Sequence, residues 1–502
     1  MDLSEQPITD AHDVRELPAR ARFVIVGSGF AGLCMAIKLK QSGRNDFVIL
    51  EKADDVGGTW RENTYPGAGC DIQSHLYSFS FELNPEWSRM YARQPEILDY
   101  LRHCVRKYGL QEHIYFGAEI TGGEYDDDRQ EWRVQLADGR EIRSEFAVLG
   151  LGPLHRPILP DVPGIEGFEG PSWHSAEWNH DYDLTGKRVA VIGTGASAVQ
   201  FVPQIAKQVS KLHLFQRTPA WIMPKRDRHI SGLTKALYRK VPGFQRAHRG
   251  LIYWILETRV VGFAINPKML KAAQVIADAH RKRQVPDPAL REKLTPDYTM
   301  GCKRVLVSNN FYPALATDHV ELVGEAVTEV RKNSVVAADG SEREVDAIIY
   351  GTGFHVTDSF DKLNLVGPKG RRLSEEWSEG LSAYYGMTVA GFPNVFLLVG
   401  PNTGLGHNSI VFMIEAQVNY IMECLDLMDR KGAKRMAPGK DVQDRFNAGI
   451  QADLVKQVWS VGGCQSWYLD AHGRNTTIWP GFTWRYWQRT RKPDAKAFVF
   501  ER

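Results

Sequence analysis

Gly27, Gly29 and Gly32, in Gly27-Ser28-Gly29-Phe30-Ala31-Gly32, have the spacing that lets a strand turn straight into a helix around a phosphate. Gly27 permits the tight turn, Gly29 lets backbone approach a pyrophosphate, and Gly32 allows the helix to pack closely on the strand. A second such turn lies downstream, at Gly193-Thr194-Gly195-Ala196-Ser197-Ala198, with Ala198 in place of the third glycine. The strand after the first turn ends in Glu51, and the one after the second ends in Arg217 and Thr218. A carboxylate there suits a free ribose hydroxyl pair, whereas a guanidinium suits a ribose carrying an extra phosphate. Arg217, with Lys303 as a second cation, therefore reads as NADPH preference. Two different dinucleotides in one chain point to electron transfer between them.

The surrounding elements put both turns in the required context. Strand Phe23-Val24-Ile25-Val26, a helix over 31–40 and strand Phe47-Val48-Ile49-Leu50 form a βαβ unit around the first turn. A helix is expected over 95–108. A hairpin turning at Asp138-Gly139 and a strand ending at Gly150-Leu151-Gly152 follow. The second half repeats the order: strand 188–192, the turn, a helix over 198–209, strand 212–215, a hairpin at Asp339-Gly340, and a strand ending at Gly351-Thr352-Gly353. The repetition predicts an α/β fold with two related Rossmann-like dinucleotide-binding domains. The late strand 395–399 is expected to close the first sheet, making that domain discontinuous. The first domain is assigned to 1–152 and 380–502 and the second to 153–230 and 300–379, with a helical insertion at 231–299. Within the insertion, Leu251-Ile252-Tyr253-Trp254-Ile255-Leu256 is expected to be a buried helix face, with a membrane-surface or lipid-like substrate role as the alternative.

Composition narrows the classes. The 502 residues suffice for two or three domains, and the net charge of +2 gives no reason to expect nucleic acid. Residues 1–22 are polar and lack an apolar signal core, and no apolar run reaches membrane-spanning length. Membrane contact is not expected. Six cysteines without a Cys-x-x-Cys give little support to disulfides, zinc or a redox dithiol, and a reducing cytoplasm is the default reading. No metal site is expected.

Two longer stretches are more specific. One is Gly58-Thr59-Trp60-Arg61-Glu62-Asn63-Thr64-Tyr65-Pro66-Gly67-Ala68-Gly69-Cys70-Asp71. The other is Phe168-Glu169-Gly170-Pro171-Ser172-Trp173-His174-Ser175-Ala176-Glu177-Trp178. With these the chain resembles the type I Baeyer–Villiger monooxygenases, of the class B flavoprotein monooxygenase family. That family carries Gly-x-Trp-x-x-x-x-Tyr/Phe-Pro-Gly-x-x-x-Asp early in the chain. Between its glycine fingerprints it carries Phe-x-Gly-x-x-x-His-x-x-x-Trp, followed by Pro or Asp. Asn179 departs from the last position. The resemblance runs from the first glycine turn to Trp467.

The resemblance implies FAD and NADP(H) as cofactors and a C4a-peroxyflavin that inserts one oxygen atom of O2 beside a ketone carbonyl, giving an ester or lactone. It makes Arg304, in Gly301-Cys302-Lys303-Arg304, the catalytic arginine, with Asp71 its carboxylate partner beside the flavin. Thr59, Trp60 and Tyr77 would contact the flavin nucleotide, Ile120 its adenine through backbone, and Trp467 the nicotinamide nucleotide. Gly400-Pro401-Asn402-Thr403 would approach the flavin ahead of a helix over 410–429. His174, in the interdomain linker, is read as fixing domain geometry rather than moving protons. Two alternatives stay open: an N- or S-oxygenating flavin-containing monooxygenase, and a non-catalytic redox-sensing flavoprotein.

Overall fold

The computed structural model describes residues 15–356, 360, 363–464 and 466–502. Residues 1–14, most of the polar stretch 1–22, lie outside the described residues.

In chain order the first half contains β1 (Arg20–Val26), α1 (Phe30–Gln41), β2 (Phe47–Leu50), α2 (Gln94–Lys107), β3 (Ile114–Tyr115), β4 (Ile120–Asp126), β5 (Glu131–Leu136) and β6 (Glu141–Leu149). The centre contains β7 (Ser172–His174), β8 (Arg188–Ile192), α3 (Ala196–Ile205) and β9 (Lys211–Phe215). Next come the helices α4 (Gly232–Lys240), α5 (Phe244–Glu257) and α6 (Leu270–Gln284), then β10 (Val320–Val323) and β11 (Ala347–Tyr350). The last part supplies β12 (Asn364–Val366), β13 (Val395–Leu397), α7 (Ile410–Lys431) and α8 (Thr483–Arg489).

Two sheets organise these elements. The first runs β12-β4-β5-β6-β1-β2-β3, and β13 also pairs with β6. β1 lies parallel to β2 and β6, and all four residues of β2 are buried, as expected for a strand covered on both faces. β6 is one continuous strand, where the sequence suggested a hairpin arm and a separate core strand. Its N-terminal part pairs antiparallel with β5, and its C-terminal part pairs parallel with β13. The late strand therefore closes the first sheet. β12 also joins that sheet, ahead of the boundary expected at 380. The second sheet is parallel throughout, in the order β10-β9-β8-β11-β7.

Each sheet has the same junction at its centre. Gly27 has φ +90° and Gly193 φ +105°, a region where a side chain would be strained. A Cβ on Gly27 would lie 2.7 Å from the Gly150 carbonyl oxygen, and one on Gly193 2.5 Å from that of Gly351. The Gly-x-Gly strand ends noted in the sequence are thus the surfaces on which the glycine turns rest.

Two expectations are corrected. Cys302 and Cys464 form a disulfide across a sequence separation of 162. Spacing along the chain carried no hint of it, because the two cysteines meet only through tertiary folding. The second correction concerns α5. Ile252 and Leu256 are buried, but Leu251 and Trp254 are each 58% exposed and Ile255 is 53% exposed. Six consecutive apolar residues encircle a helix, and only one side of α5 faces the core. Among the described residues, no helix is long and apolar enough to cross a membrane.

Candidate active site

The two glycine turns open onto one cavity of about 1290 Å³ between the sheets. It exceeds the usual single-ligand pocket and has room for two extended ligands. Gly400 and Pro401 line it, whereas Asn402 and Thr403 do not; of the other catalytic and cofactor residues singled out in the sequence, all line it except Gly32 and Ala198. Those two pack inward instead. A Cβ on Gly32 would lie 1.9 Å from the Gly27 carbonyl oxygen, and Ala198 is fully buried.

The first turn has a bare backbone wall. The Cα of Gly29 faces Gly58, close enough that a Cβ on Gly58 would sit 3.3 Å from it. Glu51 is buried at the end of β2. Its Oε2 accepts from the Ser28 amide at 2.9 Å and the Ser28 hydroxyl at 2.6 Å, and its Oε1 accepts from the Ala53 amide at 3.1 Å. Lone pairs remain on Oε1 for a ribose hydroxyl. Ile120, at the start of β4, and Thr59 line the same end. Trp60 donates its indole N–H to the Tyr77 hydroxyl at 3.1 Å, and the two rings meet edge to face.

The second turn faces a pair of cations. Arg217 and Thr218 follow β9, and Thr194 donates its hydroxyl to the Thr218 carbonyl at 3.3 Å. Lys303 lies close enough to Arg217 for the two charges to interact. Burial first, then Arg217, pushes the Lys303 pKa below its ordinary 10.5. Two cations held together in a cavity favour an anion between them. Ala196 and Ser197 begin α3 above them, at a helix N-terminus that also favours an anion.

Between the two ends lies the ion pair. Arg304 Nη2 and Nε both donate to Asp71 Oδ2, at 2.6 and 2.9 Å. Both side chains sit deep in the molecule yet keep 32% and 24% of their surface open to the cavity. Burial alone would raise the Asp71 pKa. The Arg304 charge and hydrogen bonds outweigh it, with help from Lys225, and hold the carboxyl below 3.8. Asp71 in turn pushes the guanidinium further up.

Each partner is fixed from its own side. Cys70 donates its amide to the Ala92 carbonyl at 3.0 Å, which anchors the loop before Asp71. A short parallel ladder, Ile222 with Leu306 and Met223 with Val307, anchors the chain after Arg304. The Cys302–Cys464 disulfide anchors the chain before it. That same bond ties down the segment carrying Trp467, which is 43% exposed, with its ring 4.3 Å from that of the buried Tyr468.

Sequence reasoning missed several residues. Gln200, on α3, donates to the Gly69 carbonyl at 3.0 Å and accepts from the Gly69 amide at 3.1 Å and the Tyr65 hydroxyl at 3.2 Å. It thereby ties the second turn's helix to the Asp71 loop. Its polar side chain, one turn into a largely apolar helix, was the only signal. Lys225 donates to the Cys70 carbonyl at 3.3 Å, and Tyr468 contributes to the field at Arg304. Val399 adopts φ +58°, unusual for a β-branched residue, at the cavity wall just before Gly400 and Pro401. Its strain is of the order of 1–3 kcal/mol.

His174 lies outside the cavity lining. Its Nδ1 accepts from the Ala176 amide at 3.1 Å, its ring meets Phe354 edge to face, and burial pushes its pKa to about 4. A neutral, buried imidazole holding backbone agrees with a role in domain geometry. Among the described residues no cluster of side chains could hold a metal ion.

A family model described as flavin-binding monooxygenase-like matches residues 20–367. A Baeyer–Villiger monooxygenase from Pseudomonas aeruginosa is 51% identical over 492 residues, 97% of this chain and 93% of the relative. Among solved structures, an oxidized steroid monooxygenase bound to NADP superposes with a TM-score of 0.86 at 29% identity, covering 96% of this chain and 99% of the other. A complex of OTEMO with FAD and NADP gives a TM-score of 0.85 at 28% identity, covering 97% and 100%.

Proposed function

We propose, from the premise that the chain belongs to the flavin-binding monooxygenase-like family, that Arg304 and Asp71 act together on the carbonyl of a ketone held in the cavity. The protein is an FAD- and NADPH-dependent monooxygenase of Baeyer–Villiger type. One atom of O2 enters beside a carbonyl to give an ester or lactone, the other leaves as water, and one NADPH is consumed.

The residues fit both cofactors. The Gly27–Gly32 turn and the buried Glu51 suit the FAD pyrophosphate and adenosine ribose, with Thr59, Trp60, Tyr77 and Ile120 along its length. The second turn, with Arg217, Thr218 and Lys303, suits NADPH and its 2′-phosphate, and Trp467, which lines the same cavity, would hold the nicotinamide half. When bound, FAD and NADPH supply the reducing equivalents and activate O2.

Arg304 carries a guanidinium that stays protonated at any working pH. Two of its nitrogens are engaged by Asp71, and Nη1 has no described partner. We assign Nη1 to donate to the oxygen on which negative charge grows as the carbonyl is attacked, a preorganised donor that costs no reorganisation. Asp71 fixes the plane of the guanidinium. The observation that carries this reading is the Arg304–Asp71 pair lying in one cavity between two dinucleotide cradles. Cytoplasmic residence would suit the NADPH requirement.

The test is product analysis. The flavin-loaded protein is incubated with NADPH, ¹⁸O-labelled dioxygen and a panel of linear, cyclic and aromatic ketones, and products are read by mass spectrometry. One labelled oxygen per ester, matched by one NADPH, is expected. Peroxide alone with every ketone, or oxygen delivered only to sulfides or amines, would exclude the ketone reading.

A further inference from the structure

We propose that α5 and α8 together form a face that docks the protein on the surface of an anionic lipid bilayer. The starting point is the outward side of α5. Leu251, Trp254 and Ile255 lie within one turn of one another and are more than half exposed, while Ile252 and Leu256 on the opposite side fill the core. The six-residue stretch 251–256 is apolar on every side of the helix, and an apolar stretch of that kind has an apolar environment on both sides. The protein interior covers one side of α5, and no described residue covers the other.

The neighbouring helix extends the surface. Tyr253 of α5 hydrogen-bonds Thr483 of α8 at 3.0 Å, and the Thr483 amide donates to Glu257 at 3.1 Å, so the two helices are fixed to each other. One turn beyond Thr483, Trp487 is exposed beside Arg246, Gly250 and Tyr253. Two exposed tryptophans on adjacent helices, rimmed by arginine, suit a headgroup boundary, where the indole sits between apolar and wet layers.

Charge decides the occupant. Glu257 is the only carboxylate in residues 231–276, and it is buried. Lys240, Arg246, Lys268 and Lys271 are exposed and form no ion pair with a described residue. On α8 and just after it, the Arg485 guanidinium lies over Trp484 and that of Arg491 over Trp487, at 5.3 and 5.0 Å from the ring centroids. An isologous contact with a second copy would set this cationic surface against itself. Anionic headgroups neutralise it while the indoles and Leu251 enter the acyl boundary. The contact is with one leaflet, since no described helix can span a bilayer.

The test is flotation of the flavin-loaded protein with vesicles of phosphatidylcholine alone or mixed with phosphatidylglycerol. The wild type is expected to float with the anionic vesicles and to be released by salt. The Leu251→Ser/Trp254→Ser/Ile255→Ser variant should bind about tenfold less or weaker still, and Arg246→Glu/Arg485→Glu should lose about fivefold per charge removed. Both variants should keep the flavin content and NADPH oxidation rate of the wild type, because none of these residues lines the main cavity. Absence of flotation with anionic vesicles, or equal flotation with neutral ones, overturns the proposal. So does light scattering that finds a dimer which the triple variant dissolves, since a second copy would then cover this face.

Discussion

Arg304 holds Asp71 by a single carboxylate oxygen, with two guanidinium nitrogens converging on Oδ2. The two residues are 233 positions apart and belong to different halves of the molecule. The pair therefore ties distant parts of the chain together and presents a polar group to the cavity. Arg304→Ala should retain flavin and continue to oxidise NADPH while ester formation falls by at least about a hundredfold, the scale for loss of a preorganised donor. Arg304→Lys should recover little, since a point charge cannot grip Asp71 and donate elsewhere in the same plane. Ester yield and NADPH consumption measured together separate the two effects; unchanged yield in Arg304→Ala would remove Arg304 from the chemistry.

Burial first, then the neighbouring Arg217 charge, works against the Lys303 ammonium, a cost that a bound phosphate would relieve. Arg217→Ala should raise the KM for NADPH by about tenfold or more and leave that for NADH nearly unchanged, the scale of one lost charge-assisted pair. Parallel kinetics with the two nucleotides decide it. Equal changes in both would mean that Arg217 contacts a part common to the two.

His174 and His75 are buried and neutral, and burial lowers the pKa of each from 6.5 to about 4. The unfolded chain binds protons at these sites below pH 6.5, and the folded chain does so only below about 4. Stability should therefore fall as the pH drops through that window, by about 3 kcal/mol per histidine, and level off below it. Thermal unfolding followed from pH 7 to 4 tests this, and His174→Gln should flatten the slope.

The Cys302–Cys464 disulfide joins the segment before Arg304 to the segment before Trp467. Unreduced, denatured protein should titrate four thiols, those of Cys34, Cys70, Cys104 and Cys424, and all six cysteines only after reduction. Cys464→Ser should lower stability by about 2–4 kcal/mol and raise the KM for NADPH by loosening the Trp467 segment. Six thiols without reductant would contradict the bond.

Much of this was legible in the residues. Each glycine turn carries its own conformational requirement, and the short-range apolar pattern around it leaves one local solution, a strand turning into a helix. Glu51 and Arg217 follow as the next strand ends, so the charge at each turn could be placed without coordinates. The continuous strand β6 was harder to see, because its change of partner from β5 to β13 depends on a strand some 250 residues away, and local pattern does not register distant pairing.

The sequence by itself determined what short-range sterics and local hydrogen bonding control: two strand–turn–helix units with opposite charges at their strand ends. Only the tertiary structure decided that Asp71 meets Arg304, that Gln200 bridges to Gly69, that Cys302 finds Cys464, and that Trp254 faces outward from a stretch apolar on every side of its helix. Each of these depends on how separate elements pack. Spacing along the chain fixes which side of a helix a residue occupies, whereas what lies opposite that side is set by the rest of the fold.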